Sequence, residues 1–287
     1  MRFSYQIGMC DASHYLPLAK AAEAAGFHGI TTPDSICYPQ ECSSTYPYNA
    51  DGSRHFLETE PFIESLIGVT AMAAVTEKIR FATFVYKLAI RQAAIVAKQV
   101  QSINVLSGSR FDLGVGISPW AEDFAVAQVP FEKRGKRLDE QIDILRGLES
   151  GDYFGYQGEI HDMPANKMNP VPAEPTPILV GGHADVALKR AARNDGWMCA
   201  GASLEELRGY IGKLKQFREE QGTADKPFRI FTTGQDAFTR EGIEELEEIG
   251  ITDVIIAFRN VYESEPDHDL DTKLQQLNWY AGEFIKA

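Results

Sequence analysis

The sequence predicts an α/β fold, a single (β/α)8 TIM barrel, from three observations. Short runs of β-branched and aromatic residues alternate with segments of helical period, and the alternation recurs roughly eight times. Helix-ending glycines separate many of these segments, and 287 residues is an ordinary length for one barrel. We therefore expect residues 1–287 to form one barrel domain, with insertions at about 35–60 and 151–175.

The expected strands are rich in valine, isoleucine, threonine and phenylalanine and are bounded by glycine or proline. In chain order they are Phe3–Met9, Gly29–Pro33, Ile79–Val85, Arg110–Gly116, Pro177–Gly181, Gly196–Ala200, Phe228–Thr233 and Asp253–Phe258. Parallel strands with helical crossovers can close into a barrel, whose carboxyl-end loops carry the functional residues.

The expected helices carry apolar stripes at spacings of three and four. These stripes are Phe62, Leu66, Val69 and Ala73, then Val96, Val100 and Ile103, then Leu138, Ile142 and Leu145. Gly26, Gly108 and Gly250 are expected at helix ends, and Ser203 with Glu206 forms a capping-box pattern. Each stripe can pack against the outside of a parallel barrel.

Two long segments interrupt the alternation. Residues 35–60 are rich in Tyr, Pro, Ser and Asn, and residues 151–175 contain YFGYQGEIHDM, which predicts a small hairpin. Connections of this length commonly serve as lids or substrate walls. We expect such a role from both segments.

Composition excludes several classes of function. The chain has 28 Lys and Arg against 41 Asp and Glu, a net charge of −13 that disfavours nucleic acid and anionic lipid. Its cysteines, Cys10, Cys37, Cys42 and Cys199, lack the spacing of a metal or redox motif, so we expect free thiols and no metal. No signal peptide or membrane span is visible, which predicts a cytoplasmic protein without a membrane partner.

The stretch FDLGVGISPW, residues 111–120, predicts a strand that ends in two glycines and a turn. Gly114 and Gly116 can let a flat ligand approach the backbone, although tight packing inside a barrel explains such a pair about equally well. The stretch has neither the third glycine of a dinucleotide-binding loop nor the second glycine of a nucleophile elbow.

The stretch PILVGGHADVALKRAARNDGWM, residues 177–198, predicts a strand, a glycine turn and a helix. Backbone N–H groups of Gly181, Gly182 and His183 at the start of a helix can bind a phosphate. A simple glycine turn is the alternative.

Candidate catalytic groups are those expected at the barrel mouth. Asp34 directly follows a strand, His14 lies in the first loop and Tyr86 follows the third strand. Asp34 can also serve only as a turn cap. Trp120, Phe124, Tyr46 and Tyr48 suggest an aromatic wall, although such residues more often serve a core or an interface.

Several segments, in order, resemble the luciferase-like monooxygenase superfamily, particularly its F420-dependent oxidoreductase branch. They are GFHGITTPDS, YPYNADG, TEKIRFATFVYKL, AKQVQSINVLSGSRFDLGVG, VPFEKRGKRLDEQIDILRGL and PTPILVGGHADVALKRAARNDGW. The resemblance implies a barrel, usually dimeric, that binds the deazaflavin F420 or FMN at the carboxyl ends of its strands.

The resemblance also implies a site. A ring would lie over the third strand beside a non-proline cis peptide matching Thr83–Phe84, the phosphate on Gly181 to His183, and Gly114 and Gly116 at the floor. Expected cofactor contacts are Ser35, Thr83, Phe84, Gly114, Gly116, Ser118, Gly181, Gly182 and His183. The sequence departs from the family in having Ser35 where many relatives have a histidine, and in displacing Trp120 by one position.

The leading hypothesis is hydride transfer between F420 and a small organic substrate, carried out by a homodimer. One alternative is an FMN-dependent monooxygenase with a partner reductase. A second is a non-catalytic flavin-binding barrel, which the missing histidine keeps open. A phosphosugar isomerase is disfavoured because no lysine or paired carboxylates stand at successive strand ends.

Overall fold

The computed structural model of the protein describes residues 1–46, 52–260 and 265–286. Tyr48 and most of the YPYNADG motif lie outside these ranges. Within them, parallel strands surrounded by helices form a closed eight-stranded barrel. The predicted fold class is therefore confirmed.

The barrel strands are β1 (Arg2–Gln6), β2 (Gly29–Thr32), β3 (Arg80–Thr83), β5 (Phe111–Gly116), β8 (Ile178–Gly181), β9 (Gly196–Met198), β10 (Arg229–Thr233) and β11 (Asp253–Ile256). Neighbours pair in parallel in the order β3-β2-β1-β11-β10-β9-β8-β5, and pairing of β3 with β5 closes the ring. A short strand β4 (Tyr86–Lys87) continues after β3 and pairs with the end of β5. All eight expected strands are present, with ends displaced by up to a few residues.

The helices are α1 (Tyr15–Ala25), α2 (Ser65–Ala73), α3 (Ala93–Ser107), α4 (Ala121–Val126), α5 (Arg134–Leu148), α6 (Asp185–Ala192), α7 (Leu204–Glu220), α8 (Arg240–Ile249) and α9 (Leu270–Tyr280). Gly26, Gly108 and Gly250 end their helices with left-handed backbone, as expected. The capping box of Ser203 and Glu206 is present at α7. The expected stripes are buried, except that Phe62 precedes α2 and lines a cavity.

The second insertion forms the expected hairpin but does not form the expected lid. Strands β6 (Phe154–Gln157) and β7 (Asp162–Asn166) pair antiparallel after α5. The Glu140 carboxylate on α5 accepts hydrogen bonds from the backbone N–H groups of Glu159, Ile160 and His161. The hairpin therefore packs along α5 outside the barrel, because the buried Glu140 supplies the acceptors that its turn needs.

A layer of ion pairs closes the amino end of the barrel. Arg229 at the start of β10 binds Asp112 on β5 at 2.5 Å and Asp253 on β11 at 2.5 Å. Arg80 on β3 binds Asp112, and Arg2 on β1 binds Asp253. Since β5 and β10 are not neighbours in the sheet, the Arg229–Asp112 pair spans the barrel interior. Five strands are thereby joined by charge as well as by their backbone hydrogen bonds.

Above this layer the interior is apolar. Ala82, Leu179, Met198, Phe231 and Ile255 pack together inside the barrel, and Phe84 and Val85 contact this group from the mouth. A much larger core lies between the strands and the surrounding helices. The interior is thus filled up to the carboxyl ends of the strands, so any ligand site lies above that level.

In the part of the chain that the structure describes, no helix has both the length and the apolar composition needed to cross a bilayer. The four cysteines carry free thiols, and Cys10 and Cys199 are buried.

Asp112→Asn should lower the free energy of unfolding by about 3 kcal/mol, because Arg80 and Arg229 would share a neutral amide in a buried position. Urea unfolding followed by circular dichroism measures the loss. Asp225→Asn, on the exposed surface, is the matched control and should change stability by less than about 0.5 kcal/mol. Equal effects of the two substitutions would show that the charged layer is not structurally important.

His28 lies beside the same layer, where burial and then Arg229 lower its pKa below the ordinary 6.5. The unfolded chain therefore binds a proton at a higher pH than the folded chain, and stability falls as the pH drops through 6.5. Unfolding free energies at about pH 7.5 and about pH 5.5 should show a smaller pH-dependent loss in His28→Gln than in the wild type. The exposed His55→Gln is the control, and an unchanged loss in His28→Gln would refute the assignment.

Candidate active site at the barrel mouth

A cavity of about 730 Å³ opens at the carboxyl ends of β1, β9, β10 and β11. Tyr5, Gln6 and Met9 form one wall, and Ala200 and Thr233 contribute to another. Residues following β11 complete it, including Arg259, Asp267, His268 and Lys273. Its position matches that of ligand sites in parallel barrels.

A second cavity of about 210 Å³ lies beside the first, and both are lined by Gln6, Met9, Phe84 and Ala200. Asp34, Ser35, Gly181 and Gly182 also line the smaller cavity. The two cavities therefore form one region above Phe84. Five predicted site residues, Asp34, Ser35, Phe84, Gly181 and Gly182, are brought together there.

The cis peptide bond lies between Phe84 and Val85, one residue later than the expected Thr83–Phe84. It separates β3 from β4, and the Phe84 N–H donates to the Thr32 carbonyl at 2.7 Å. Phe84 and Val85 both line the smaller cavity. The surface expected to face a ring is present, displaced by one residue.

Gly181 and Gly182 form the expected turn before α6. Gly182 has φ +116°, a backbone conformation that side chains disfavour, and an added Cβ would lie 3.0 Å from Ala187 Cβ. The helix N-cap, Ala184, provides no side-chain cap, so no capping side chain competes for the N–H groups in the first turn of α6. Asp185 opens α6 but is ion-paired with Lys213 at 2.8 Å.

His183 does not line either cavity. Its ring stacks on Tyr210 at 5.1 Å between centroids, and Nε2 lies 3.3 Å from Cys199 Sγ. Burial lowers the pKa of His183. The side chain thus packs as a neutral ring against β9 and α7.

Asp34 lies at the wall as expected, but its carboxylate is already bound. Oδ2 accepts from the Lys87 N–H at 2.8 Å and from Arg91 Nη1 at 2.7 Å, and Oδ1 accepts from Arg91 Nη2 at 2.8 Å. This bidentate pair is the strong geometry for arginine and carboxylate. It ties the end of β2 to β4.

Thr83, Gly114 and Gly116 lie within the barrel wall. The Thr83 hydroxyl donates to the Gly114 carbonyl at 2.7 Å. A Cβ on Gly114 would lie 1.9 Å from the Thr83 carbonyl, and one on Gly116 would lie 2.7 Å from Val85 Cγ2. Close packing, the alternative considered from the sequence, explains why both positions are glycine.

Tyr86 and Ser118 are also engaged by neighbours. Tyr86 is buried beneath Arg91, its hydroxyl donates to Glu64 Oε1 at 3.1 Å, and burial raises its pKa. Ser118 donates to Asp123 Oδ2 at 2.6 Å and accepts from the Trp120 N–H at 3.1 Å. Both side chains hold the barrel mouth in shape.

His14 lies behind the larger cavity, next to a group that the sequence reasoning missed. Its Nδ1 is 3.0 Å from Lys273 Nζ, and Lys273 is paired with Asp267 at 2.6 Å. Lys273 and Asp267 line the cavity. The sequence does contain a signal for Lys273, because it lies three residues after Leu270 and four before Leu277, on the apolar face of α9.

Two further groups face the larger cavity as neutral side chains. Burial raises the pKa of the Cys10 thiol to about 11 and raises the pKa of Tyr5 further above its usual range. A neutral thiol is a poor nucleophile, so the cavity offers no activated cysteine. The described residues also contain no cluster of three or more His, Cys, Asp or Glu that could hold a metal ion.

Comparison with known proteins gives a family match. The luciferase-like monooxygenase family matches residues 6–284. An uncharacterized protein of Mycobacterium tuberculosis is 52% identical over 286 residues, which cover 99% of each chain. An F420-dependent glucose-6-phosphate dehydrogenase of Tsukamurella paurometabola is 27% identical over 203 residues, which cover 69% of this chain and 55% of that protein.

The fold has a solved counterpart. An F420-dependent secondary alcohol dehydrogenase, in complex with an F420–acetone adduct, superimposes with a TM-score of 0.77. The superposition covers 99% of this chain and 98% of that one at 14% identity. At this identity the likeness establishes the barrel architecture.

Proposed function

Since the chain belongs to the luciferase-like monooxygenase family, we propose that it is an F420-dependent oxidoreductase that transfers a hydride between the deazaflavin and a small organic substrate. The observation that carries this proposal is the smaller cavity, which has Phe84 and Val85 on one side and the Gly181–Gly182 turn at its edge. The F420-dependent relative and the F420-dependent structural neighbour favour F420.

The residues at the mouth fit such a cofactor. A flat ring requires a surface without protruding polar groups, and Phe84, Val85 and Met198 supply it. A phosphate requires N–H donors without a competing cap, and the turn before α6 supplies them. The backbone of Gly182 approaches the cavity because no Cβ intervenes.

When bound, F420 supplies a ring carbon, C5, that accepts or donates the hydride. The chain's own part is to orient both reactants and to exclude water. We propose that Lys273 Nζ, held by Asp267 and His14, gives a proton to the substrate when the substrate accepts the hydride, since it reaches the larger cavity while Tyr86 does not. Asp34 then serves as a positioning residue through Arg91.

An FMN-dependent monooxygenase is the second candidate, because the family is described as luciferase-like monooxygenases and one structural neighbour, a riboflavin lyase, contains modified FMN. The phosphate turn and ring surface suit either cofactor. The relative affinities of the protein for F420 and FMN separate the two candidates.

We also propose that the protein acts as a homodimer. Ile67 on α2 and Ile95 and Leu106 on α3 are large apolar side chains that are exposed on adjacent helices. Exposed apolar groups of this size are typical of an interaction surface when they are contiguous.

Titration of the wild type with F420 and, separately, with FMN should show preferential binding of F420 by fluorescence. Gly182→Asp should weaken F420 binding by at least about tenfold more than Gly182→Ala, because only the aspartate adds a negative charge against the phosphate. Gly182→Ala is the matched control for backbone strain at φ +116°. Preferential FMN binding would favour the second candidate, and binding of neither cofactor would refute both.

Asp34→Asn and Arg91→Gln should each weaken F420 binding roughly tenfold, because each breaks the same bidentate pair. The double variant should bind no more weakly than either single variant. Such non-additivity, measured as a double-mutant cycle on F420 affinity, indicates a shared positioning role. Additive effects would instead indicate that Asp34 contacts the cofactor or substrate independently of Arg91.

A further inference from the structure

A cationic cluster lies beside the proposed cofactor site and has no part in the hydride-transfer proposal above. The Arg54 guanidinium and the Lys87 ammonium each lie 4.2 Å from the centroid of the Trp120 ring. Lys87 is ion-paired with Asp123 at 2.7 Å. Arg54 is only 3% exposed although it belongs to the long segment after β2.

Arg54 is incompletely satisfied. Its Nη2 is 3.5 Å from Glu122 Oε2, while Nε and Nη1 are buried and have no hydrogen-bond partner among the described residues. The indole Nε1 of Trp120 is likewise buried and unpartnered in the described structure. Leaving such donors without acceptors costs free energy, and an arginine carries the larger penalty because it is charged.

The two residues that carry these unpartnered donors border an open space. Arg54 and Trp120 line a cavity of about 200 Å³, together with Ser35, Tyr38 and other residues of the long segment. Ser35 and Trp120 also line the cavity over Phe84. The cavity beside Arg54 and the proposed site of hydride transfer therefore share part of one wall.

The nearby carboxylates do not accept hydrogen bonds from Arg54 Nε or Nη1. Glu122 Oε1 accepts from Ser43 N and Ser44 N at 2.8 and 3.2 Å, and Glu60 is paired with Arg259 at 2.6 Å. Glu58 lines the cavity but is exposed to solvent. Asp123 Oδ2 binds Ser118 and Lys87, whereas Asp123 Oδ1 is buried without a partner and forms no hydrogen bond with Arg54 in the described structure. The two free donors of Arg54 are left for an acceptor from outside the chain.

We propose that Arg54 and Trp120 bind a carboxylate of the organic substrate, so that the enzyme acts on a small carboxylic acid. The reaction assigned to this acid rests on the proposed function, whereas the anion site itself does not depend on it. Together with Nη2, either Nε or Nη1 of Arg54 presents a pair of parallel N–H groups that matches the two oxygens of a carboxylate, and burial strengthens such a contact. The anionic glutamyl tail of F420 offers the same chemistry, and the experiment distinguishes the two sources.

The experiment measures binding of benzoate and of its neutral analogue benzamide by isothermal titration calorimetry. Wild type should bind benzoate in preference to benzamide, and Arg54→Gln should weaken benzoate binding by at least about tenfold. Arg208→Gln, which removes an exposed arginine on α7, is the matched control and should bind as wild type. Equal binding of benzoate by Arg54→Gln and wild type would overturn the anion site.

The source of the carboxylate is decided with F420 and with a deazaflavin that lacks the glutamyl tail. A substrate site predicts that benzoate still binds the F420-loaded enzyme and that Arg54→Gln leaves F420 affinity unchanged. Competition between benzoate and F420, with Arg54→Gln weakening F420 but not the tail-less deazaflavin, would assign the site to the tail and overturn the substrate proposal.

Failure of the proposed function has a separate signature. If wild type binds benzoate through Arg54 but binds no F420, the function is wrong and the anion site remains. Should Arg54→Gln fail to fold, Trp120→Phe keeps an aromatic ring beside both cations and removes the unpartnered N–H together with part of the indole. This variant should weaken benzoate binding roughly fivefold, and unchanged binding would count against the site.

Discussion

The Arg229–Asp112 ion pair across the amino end of the barrel is the contact on which the rest of the structure depends. Through Asp253, Arg80 and Arg2 it joins five strands at their first or second residues, opposite the mouth. Such pairs contribute chiefly by fixing one arrangement, because removing one partner leaves a buried charge. With closure secured at this end, the carboxyl end is free to carry irregular backbone and polar groups.

At that mouth the polar side chains mostly hold the walls, and the backbone forms the surface. The Asp34 carboxylate binds the Arg91 guanidinium and the Lys87 N–H. The Ser118 hydroxyl forms hydrogen bonds with the Asp123 carboxylate and the Trp120 N–H. The backbone that lines the smaller cavity includes the Phe84–Val85 peptide and the glycine turn before α6. Under the proposed function, this backbone surface orients the cofactor while a few charged groups, such as Lys273, face the substrate.

The sequence predicted the barrel well because the strands and helix ends are encoded locally, as at Gly26 or Ser203. It also identified the cavity wall at Asp34, Ser35, Phe84, Gly181 and Gly182, since each lies at or shortly after the carboxyl end of a strand. Side-chain roles at Asp34, Tyr86 and Ser118 were not predictable, because their partners Arg91, Glu64 and Asp123 are fixed by tertiary packing. Lys273 and Arg54 were missed for the same reason, since their neighbours are distant in sequence or lie across the cavity.

The side chain of Val85 limits the size of the residue at positions 116 and 181, so the three positions constrain one another during evolution. Its Cγ2 lies 2.7 Å from where a Cβ on Gly116 would be, and its Cγ1 lies 3.0 Å from the corresponding point on Gly181. A residue larger than glycine at either position therefore requires a smaller one at 85. Among homologous sequences, these sites should covary, and a change of cofactor or pocket depth would be expected to pass through coordinated substitutions at all three.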